Sequence, residues 1–187
     1  AWWCRRSARW HRRAARARTW DARACPDAEL SDIVLALFEA YRVAAVAQDV
    51  IEENHRSIED QLSSLRFFDR RAKCLTNAAV LLFGKDVIEF APGAYVQYVQ
   101  YAGVDASADV MRERRFAGDL LSVLRELSSL AQELENARPV EVGPLEEMMV
   151  SDYPAQALRE VLVNAIVHRD YESNTPILIS HFEDRLE

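Results

Sequence analysis

Residues 117 to 136 carry the longest helical pattern in the sequence, and this pattern limits the folds that are open to the chain. Apolar residues recur there at alternating intervals of four and three, at Leu120, Leu124, Leu127, Ala131 and Leu134. This spacing places them on one face of a helix, which must then be buried against another element. The pattern lasts only about two heptads, fewer than a coiled coil needs, so packing against a sheet is favoured over a dimer seam.

A strand precedes this helix, because Tyr, Val and Gln alternate between two glycines in GAYVQYVQYAG, residues 93 to 103. Further helices are predicted over residues 26 to 41 and 57 to 68, where apolar residues follow helical spacing. The apolar segment TNAAVLLFG, residues 76 to 84, fits a helix or a strand, and a helix is favoured. Together these elements predict the α+β class, with helices packed on small mixed sheets.

The first 24 residues differ in charge from the rest of the chain. They hold eight arginines, one acidic residue and all four tryptophans, and their net charge is +7. Since the 187 residues sum to −7, the remainder carries −14, which disfavours nonspecific nucleic-acid binding by the main body. A basic arm with interleaved Trp suits phosphate contacts and base stacking. The alternative, which we favour, is a solvated terminus or the remnant of a preceding domain.

Other classes of protein are disfavoured by the motifs that the sequence lacks. The three cysteines show no CxxC spacing, so a reducing cytoplasm is expected rather than a disulfide framework or zinc site. No apolar run approaches the roughly 20 residues that span a bilayer, so no membrane partner is expected. The glycine patterns of a P-loop and of a dinucleotide-binding turn do not occur. His55 and His181 have no partners at metal-binding spacing and are expected to be surface or core histidines.

A domain boundary is predicted in residues 135 to 147, which contain two prolines and a glycine. The expected organisation is a basic arm or domain remnant at residues 1–24, an α+β linking domain at 25–137 and a partial domain at 138–187. Because the chain does not begin with Met and stops within a predicted strand pair, we expect it to be a fragment at both ends.

The segment ALREVLVNAIVHRDY, residues 157 to 171, predicts a helix with an unusual polar row. Glu160, Asn164 and His168 follow one another at intervals of four, beside an apolar face. A solvated surface is the more common explanation of such a row. An amide oxygen and a carboxylate on one face also suit a hard cation such as Mg²⁺, which keeps its remaining positions for water and phosphate. The carboxylate could then orient a water towards a phosphoryl group.

The stretch YPAQALREVLVNAIVHRDY, followed by PILISHFEDRLE, resembles the ATPase-like domain of bacterial RecG-like helicase C-terminal proteins. These are also described as divergent-AAA or Schlafen AlbA-type transcriptional regulators. The upstream LTNAAVLLFG and the strand after APGAYVQY are similar to that family as well, so the resemblance covers roughly residues 20 to 187. The polar helix itself resembles the N-box of the GHKL ATPases, the superfamily of gyrase, Hsp90, histidine kinases and MutL.

This resemblance implies that the C-terminal part is the start of a GHKL-like α/β sandwich that binds ATP and Mg²⁺. It assigns Asn164 as the Mg²⁺ ligand and Glu160 as the general base. His168 would contact phosphate, and Asp184, with Arg185, would support the nucleotide site. The family's adenine pocket and ATP lid would follow residue 187, so any ATPase activity would belong to the full-length protein and is not expected of this segment.

A second hypothesis is a nucleic-acid-binding transcriptional regulator whose GHKL-like unit is structural or senses a ligand. The Arg- and Trp-rich first 24 residues motivate it. In the family an AlbA-type nucleic-acid-binding domain precedes this region, and the sequence shows none. Nucleic acid would therefore bind through such an upstream domain or through the basic arm, and a homodimer through the Leu120 to Leu134 face is the remaining alternative.

Overall fold

The computed structural model describes residues 19–46, 56–135, 137–143 and 146–187. The chain divides into two compact units, Ala1–Asp86 and Val87–Glu187. Both units combine helices with short strands, so the α+β class is confirmed. No helix in the described ranges is both long and apolar enough to cross a membrane. Most of the basic arm, residues 1–18, and His55 lie outside the described residues.

Within its described residues, the first unit pairs three helices with one short hairpin. A 3₁₀ turn at Leu30–Asp32 precedes the helices, and antiparallel β1 and β2 form the hairpin. The elements are α1 (Leu35–Ala45), α2 (Ile58–Ser64), β1 (Phe68–Asp69), β2 (Cys74–Leu75) and α3 (Asn77–Phe83). The basic segment FFDRRAK, residues 67 to 73, includes β1 and the tip of this hairpin, and the helix favoured for residues 76 to 84 is confirmed as α3.

Four aromatic rings form the centre of the first unit. Phe38, Tyr41, Phe67 and Phe83 pack edge to face, with ring centroids 5.0 to 6.4 Å apart. Phe38 and Phe83 are fully buried. Because edge-to-face contacts bring the positive ring edge to the negative ring face, the cluster holds α1, α3 and the hairpin together beyond its apolar area.

The helix predicted from Pro26 to Tyr41 is interrupted, which corrects the sequence interpretation. Ile33 forms an antiparallel bridge with Gly84, and the N–H of Val34 donates to the carbonyl of Phe83 at 2.7 Å. These two residues are therefore extended, and the helix begins only at Leu35. A tertiary hydrogen bond outweighed the local helical spacing here. The start predicted at Ser57 is confirmed, since its Oγ accepts from the N–H of Asp60 at 3.2 Å.

The second unit places two long helices against a three-stranded sheet. Strand β3 is central, antiparallel to β4 and parallel to β7, and a separate antiparallel hairpin is formed by β5 and β6. The elements are α4 (Val87–Phe90), β3 (Tyr95–Tyr101), β4 (Val110–Ala117), α5 (Leu120–Glu133), β5 (Ala137–Gly143), β6 (Glu146–Ser151), α6 (Ala155–Val167) and β7 (Ile177–His181).

Helices α5 and α6 share one hydrophobic core with the sheet. Leu127 and Leu130 of α5 are buried against Leu158 and Leu162 of α6 and against Tyr98 of β3. The expectation that the Leu120 to Leu134 face packs in the core is thus confirmed. The predicted boundary at residue 137 differs from the observed division at Asp86, because the elements on both sides of residue 137 bury their apolar faces in this common core.

Candidate functional site on the last helix

Helix α6 begins directly after Pro154, which occupies the cap position in an extended conformation (φ −59°, ψ 124°). Pro154 supplies no side-chain cap, and nearby the hydroxyl of Ser151 donates to the carbonyl of Tyr153 at 2.9 Å. The helix ends at His168, whose N–H donates to the carbonyl of Asn164 at 2.9 Å.

The two faces of α6 differ sharply in burial. Leu158, Leu162 and Ile166 are buried in the core of the unit. Glu160 and Asn164 each follow one of the two leucines by two residues, which corresponds to a rotation of roughly 200° about the helix axis. Their side chains therefore point away from that core. Glu160, Asn164 and His168 are all exposed. The structure therefore brings the predicted row together, and it places the row on open surface.

The side chains of this row are available to a ligand. Within the described part of the chain, the side chains of Glu160, Asn164 and His168 form no hydrogen bond or ion pair with another residue. Successive members lie one turn apart, about 6 Å along the axis. Val161 and Val167 beside them are 64% and 66% exposed. The surface thus offers a carboxylate, an amide and an imidazole next to two solvent-facing apolar groups.

Asp184 lies on a different element, in the tight turn that follows β7. The N–H of Phe182 donates to the carbonyl of Arg185 at 2.9 Å and closes this turn. The Arg185 guanidinium pairs with Asp184 at 3.0 Å and with Glu187 at 2.7 Å, and these contacts, led by that with Glu187, raise its pKa. The Arg185 guanidinium also donates to the carbonyl of Val104 at 2.7 Å, so Asp184 belongs to the polar contacts of this turn and not to the row on α6.

Two polar contacts at the end of the sheet have no signature in the sequence. The hydroxyl of Tyr98 lies 2.7 Å from Nδ1 of His181, so His181 is a core-edge histidine with a partner, in line with its expected role. Beside them, Arg114 of β4 donates to both carboxylate oxygens of Glu133 on α5, at 2.9 and 3.0 Å. These hydrogen bonds lower the pKa of the Glu133 carboxyl. Only the pairing of β3 with β7 and the packing of α5 create these contacts.

Arg169 is a further polar residue of this region, at the start of the connection that follows α6. Its Nη2 donates to the carbonyls of Ser173 and Thr175 at 2.8 and 3.0 Å, and its guanidinium stacks on the ring of Tyr171 at 4.7 Å. Nε and Nη1 are buried without a partner. A cavity of about 10 Å³ adjoins the side chain, about the volume that one water needs. Arg169 therefore organises the connection between α6 and β7.

The donor set on α6 is sparse. Among the described residues, no group of three or more His, Cys, Asp or Glu side chains is arranged to hold a metal ion. The row supplies one carboxylate and one amide oxygen, which are hard donors. Such a set fits Mg²⁺ that is also held by phosphate and water, and it does not fit a metal bound by protein alone.

The features above define a mixed α+β protein whose last helix presents a polar row to solvent. No protein-family model matches the sequence, and no curated protein matches it. Among solved structures, the crystal structure of the DIP2311 protein from Corynebacterium diphtheriae is similar, with a TM-score of 0.58 and 20% identity over 93% of this chain. The chain spans 33% of that protein's length. At this level of identity the similarity shows the fold alone.

Proposed function

We propose that this chain is part of a bacterial ATP-binding regulatory protein, and that α6 forms the magnesium and phosphate side of a Bergerat-type site. The observation that carries the proposal is the exposed row of Glu160, Asn164 and His168, opposite a buried leucine stripe. Because these polar side chains take no part in packing, they are able to bind a ligand. The resemblance of this helix and of the FEDRLE turn to the N-box region of GHKL ATPases supplies the identity of the ligand.

The donor chemistry of the row is consistent with Mg-ATP. The side-chain oxygen of Asn164 is a neutral ligand of the kind that Mg²⁺ accepts while it keeps water and phosphate in its other positions. When bound, Mg²⁺ would neutralise charge on the phosphates and fix their orientation. A cytoplasmic location, where ATP and Mg²⁺ are present, belongs to the same proposal.

The residues on either side of Asn164 have separate roles in this proposal. Glu160 lies one turn earlier and holds a water by hydrogen bonding, with its carboxylate ready to accept the proton. His168 lies one turn later and donates a hydrogen bond to a phosphate oxygen. Asp184 is already paired with Arg185, so it would support the nucleotide site through that guanidinium.

Calorimetric titration of Mg-ATP into the full-length protein that contains this chain tests the proposal. Asn164→Ala removes the metal ligand, so we expect the affinity for Mg-ATP to fall about tenfold or more, with a smaller change for ATP without Mg²⁺. Glu160→Gln keeps the size of the side chain and removes the base. It should leave binding nearly unchanged and slow any hydrolysis by roughly 100-fold or more.

Two exposed residues on α5 provide matched controls. Gln132→Ala removes an amide and Glu126→Gln neutralises a carboxylate, both at exposed positions of a helix outside the proposed site. Neither should alter nucleotide affinity or turnover. If Asn164→Ala bound Mg-ATP as tightly as the parent protein, α6 would not be the phosphate side of a nucleotide site.

A further inference from the structure

The first unit contains a cavity of about 410 Å³ beside the β1–β2 hairpin. Its lining includes Arg66, Arg70 and Arg71 together with Ser63, Phe68 and Asp69. Ligand pockets commonly occupy roughly 300 to 1,000 Å³, so the volume is sufficient for a small anionic group and part of the molecule that carries it. The high share of arginine is unexpected in a protein whose net charge is −7.

Hydrogen bonds hold the backbone around this cavity in place. Arg66 adopts a left-handed conformation (φ 65°), and its carbonyl accepts from the Thr76 hydroxyl at 3.1 Å. Asp69 Oδ1 accepts from the N–H groups of Arg71 and Ala72 at 2.8 and 3.2 Å. One oxygen of the Asp69 carboxylate is therefore engaged by the backbone of the hairpin turn, and the arginines project from a defined backbone.

The three arginines differ in how they are paired. Arg70 donates to Asp60 at 2.7 Å and to the Ser63 hydroxyl at 2.9 Å, which fixes its side chain along α2. The guanidinium groups of Arg66 and Arg71 have no carboxylate partner within the described residues. Two unpaired guanidinium groups and one fixed one thus surround the same cavity, next to the half-buried ring of Phe68.

We propose that this cavity is an anion site that binds a phosphate group through Arg66 and Arg71. Guanidinium presents parallel N–H groups that match two oxygens of a phosphate, and it stays charged at all accessible pH values. Phe68 offers an apolar surface to the remainder of the ligand. The phosphate is carried either by a small phosphorylated molecule or by a nucleic-acid backbone. The site lies in the first unit and is independent of the nucleotide proposal for α6.

Titration of inorganic pyrophosphate without Mg²⁺ into the full chain, followed by calorimetry, tests this site. We expect saturable binding that weakens about tenfold or more in the double variant Arg66→Gln/Arg71→Gln, because two charge-assisted contacts are lost. Lys85→Gln removes a positive charge from an exposed residue of the same unit that does not line the cavity, and it should leave the affinity unchanged. Asn164→Ala should also have no effect, which separates this site from the row on α6.

A second titration, with a mixed-sequence single-stranded oligonucleotide, distinguishes the two carriers of phosphate. Competition between oligonucleotide and pyrophosphate would assign the site to a nucleic-acid backbone, whereas binding of pyrophosphate alone would assign it to a small phosphorylated molecule. The proposal is overturned if pyrophosphate shows no saturable binding, or if Lys85→Gln weakens binding as much as the double variant does. A double variant that lowers the melting temperature and leaves affinity intact would also overturn it.

Discussion

The hydroxyl of Tyr98 on β3 and Nδ1 of His181 on β7 lie 2.7 Å apart, which joins two parallel strands across 83 residues of sequence. Tyr98 is 1% exposed, and His181 is half-buried at the edge of the same core. Burial raises the pKa of the Tyr98 phenol and lowers the pKa of the His181 imidazole. Both groups are therefore neutral near pH 7, and we assign the phenol as donor to an unprotonated Nδ1.

This pair predicts a pH dependence of stability. The folded pKa of His181 lies below the unfolded value of 6.5, so the unfolded state binds the proton first as the pH falls. The contribution of the neutral His181 ring to the free energy of unfolding is therefore fully present above pH 6.5, and it is lost as the pH falls through the folded pKa. Urea unfolding should show a larger loss between about pH 7.5 and about pH 5 for the parent protein than for His181→Asn. His168→Asn, which removes an exposed imidazole, is the control. Identical pH slopes for His181→Asn and the parent would contradict this.

Replacement of Leu127 by alanine should destabilise the second unit strongly. Leu127 is 2% exposed and packs in the core between α5, α6 and the sheet. Removal of a buried leucine leaves a cavity, and the free energy of unfolding should fall by about 2 to 5 kcal/mol. Chemical denaturation measures this, with the exposed Gln132→Ala expected to change stability by less than about 0.5 kcal/mol. If Leu127→Ala lowered the free energy of unfolding by less than about 1 kcal/mol, Leu127 would not be a core residue, and the alternative of a homodimer through this face would be favoured. Sedimentation at two protein concentrations would then detect the dimer.

Gly93→Ala should destabilise the protein through a steric clash. A Cβ at residue 93 would lie 2.5 Å from the carbonyl carbon and 2.6 Å from the carbonyl oxygen of Asn174, and it would also meet Nη2 of Arg169. Because the Asn174 atoms belong to the backbone, the connection before β7 must move, at a cost of about 1 to 3 kcal/mol. Gly118→Ala is the comparison variant. A Cβ at residue 118 would meet no atom within 4 Å, and only the backbone φ of +128° disfavours a side chain there. Thermal unfolding at one pH compares the two variants, and unchanged stability of Gly93→Ala would disprove the close packing.

Asp119 is predicted to stabilise the start of α5. Its Oδ1 accepts from the N–H of Ser122 at 2.9 Å and satisfies a donor that the helix leaves free. Asp119→Ala should lower the free energy of unfolding by about 1 kcal/mol, whereas Asp119→Asn, which keeps an oxygen acceptor, should lower it less. Equal losses in the two variants, measured by urea unfolding, would show that the charge matters rather than the hydrogen bond.

Local patterns were sufficient for the elements with the clearest periodicity, whereas β4 has no counterpart among the predicted elements. The strand at residues 93 to 103, the helix favoured at 76 to 84 and the apolar face of α5 are all present, because each depends on periodicity within a short stretch. The row on α6 was likewise readable from spacing of four, and the structure confirms that its members share one exposed face. The assignment of that row to ATP and Mg²⁺ stays a prediction.

Long-range packing decided what these patterns could not. The break at Ile33 arises from its bridge to Gly84, and the residues on both sides of 137 belong to one unit because α5 and α6 bury their apolar faces together. The Tyr98–His181 contact and the arginine cavity likewise depend on which strands and turns become neighbours. The sequence by itself determined the type of the strongly periodic elements and which face of each long helix is apolar, since these follow from periodicity along the chain. The tertiary structure alone decided which polar groups meet, because those contacts form between residues far apart in sequence.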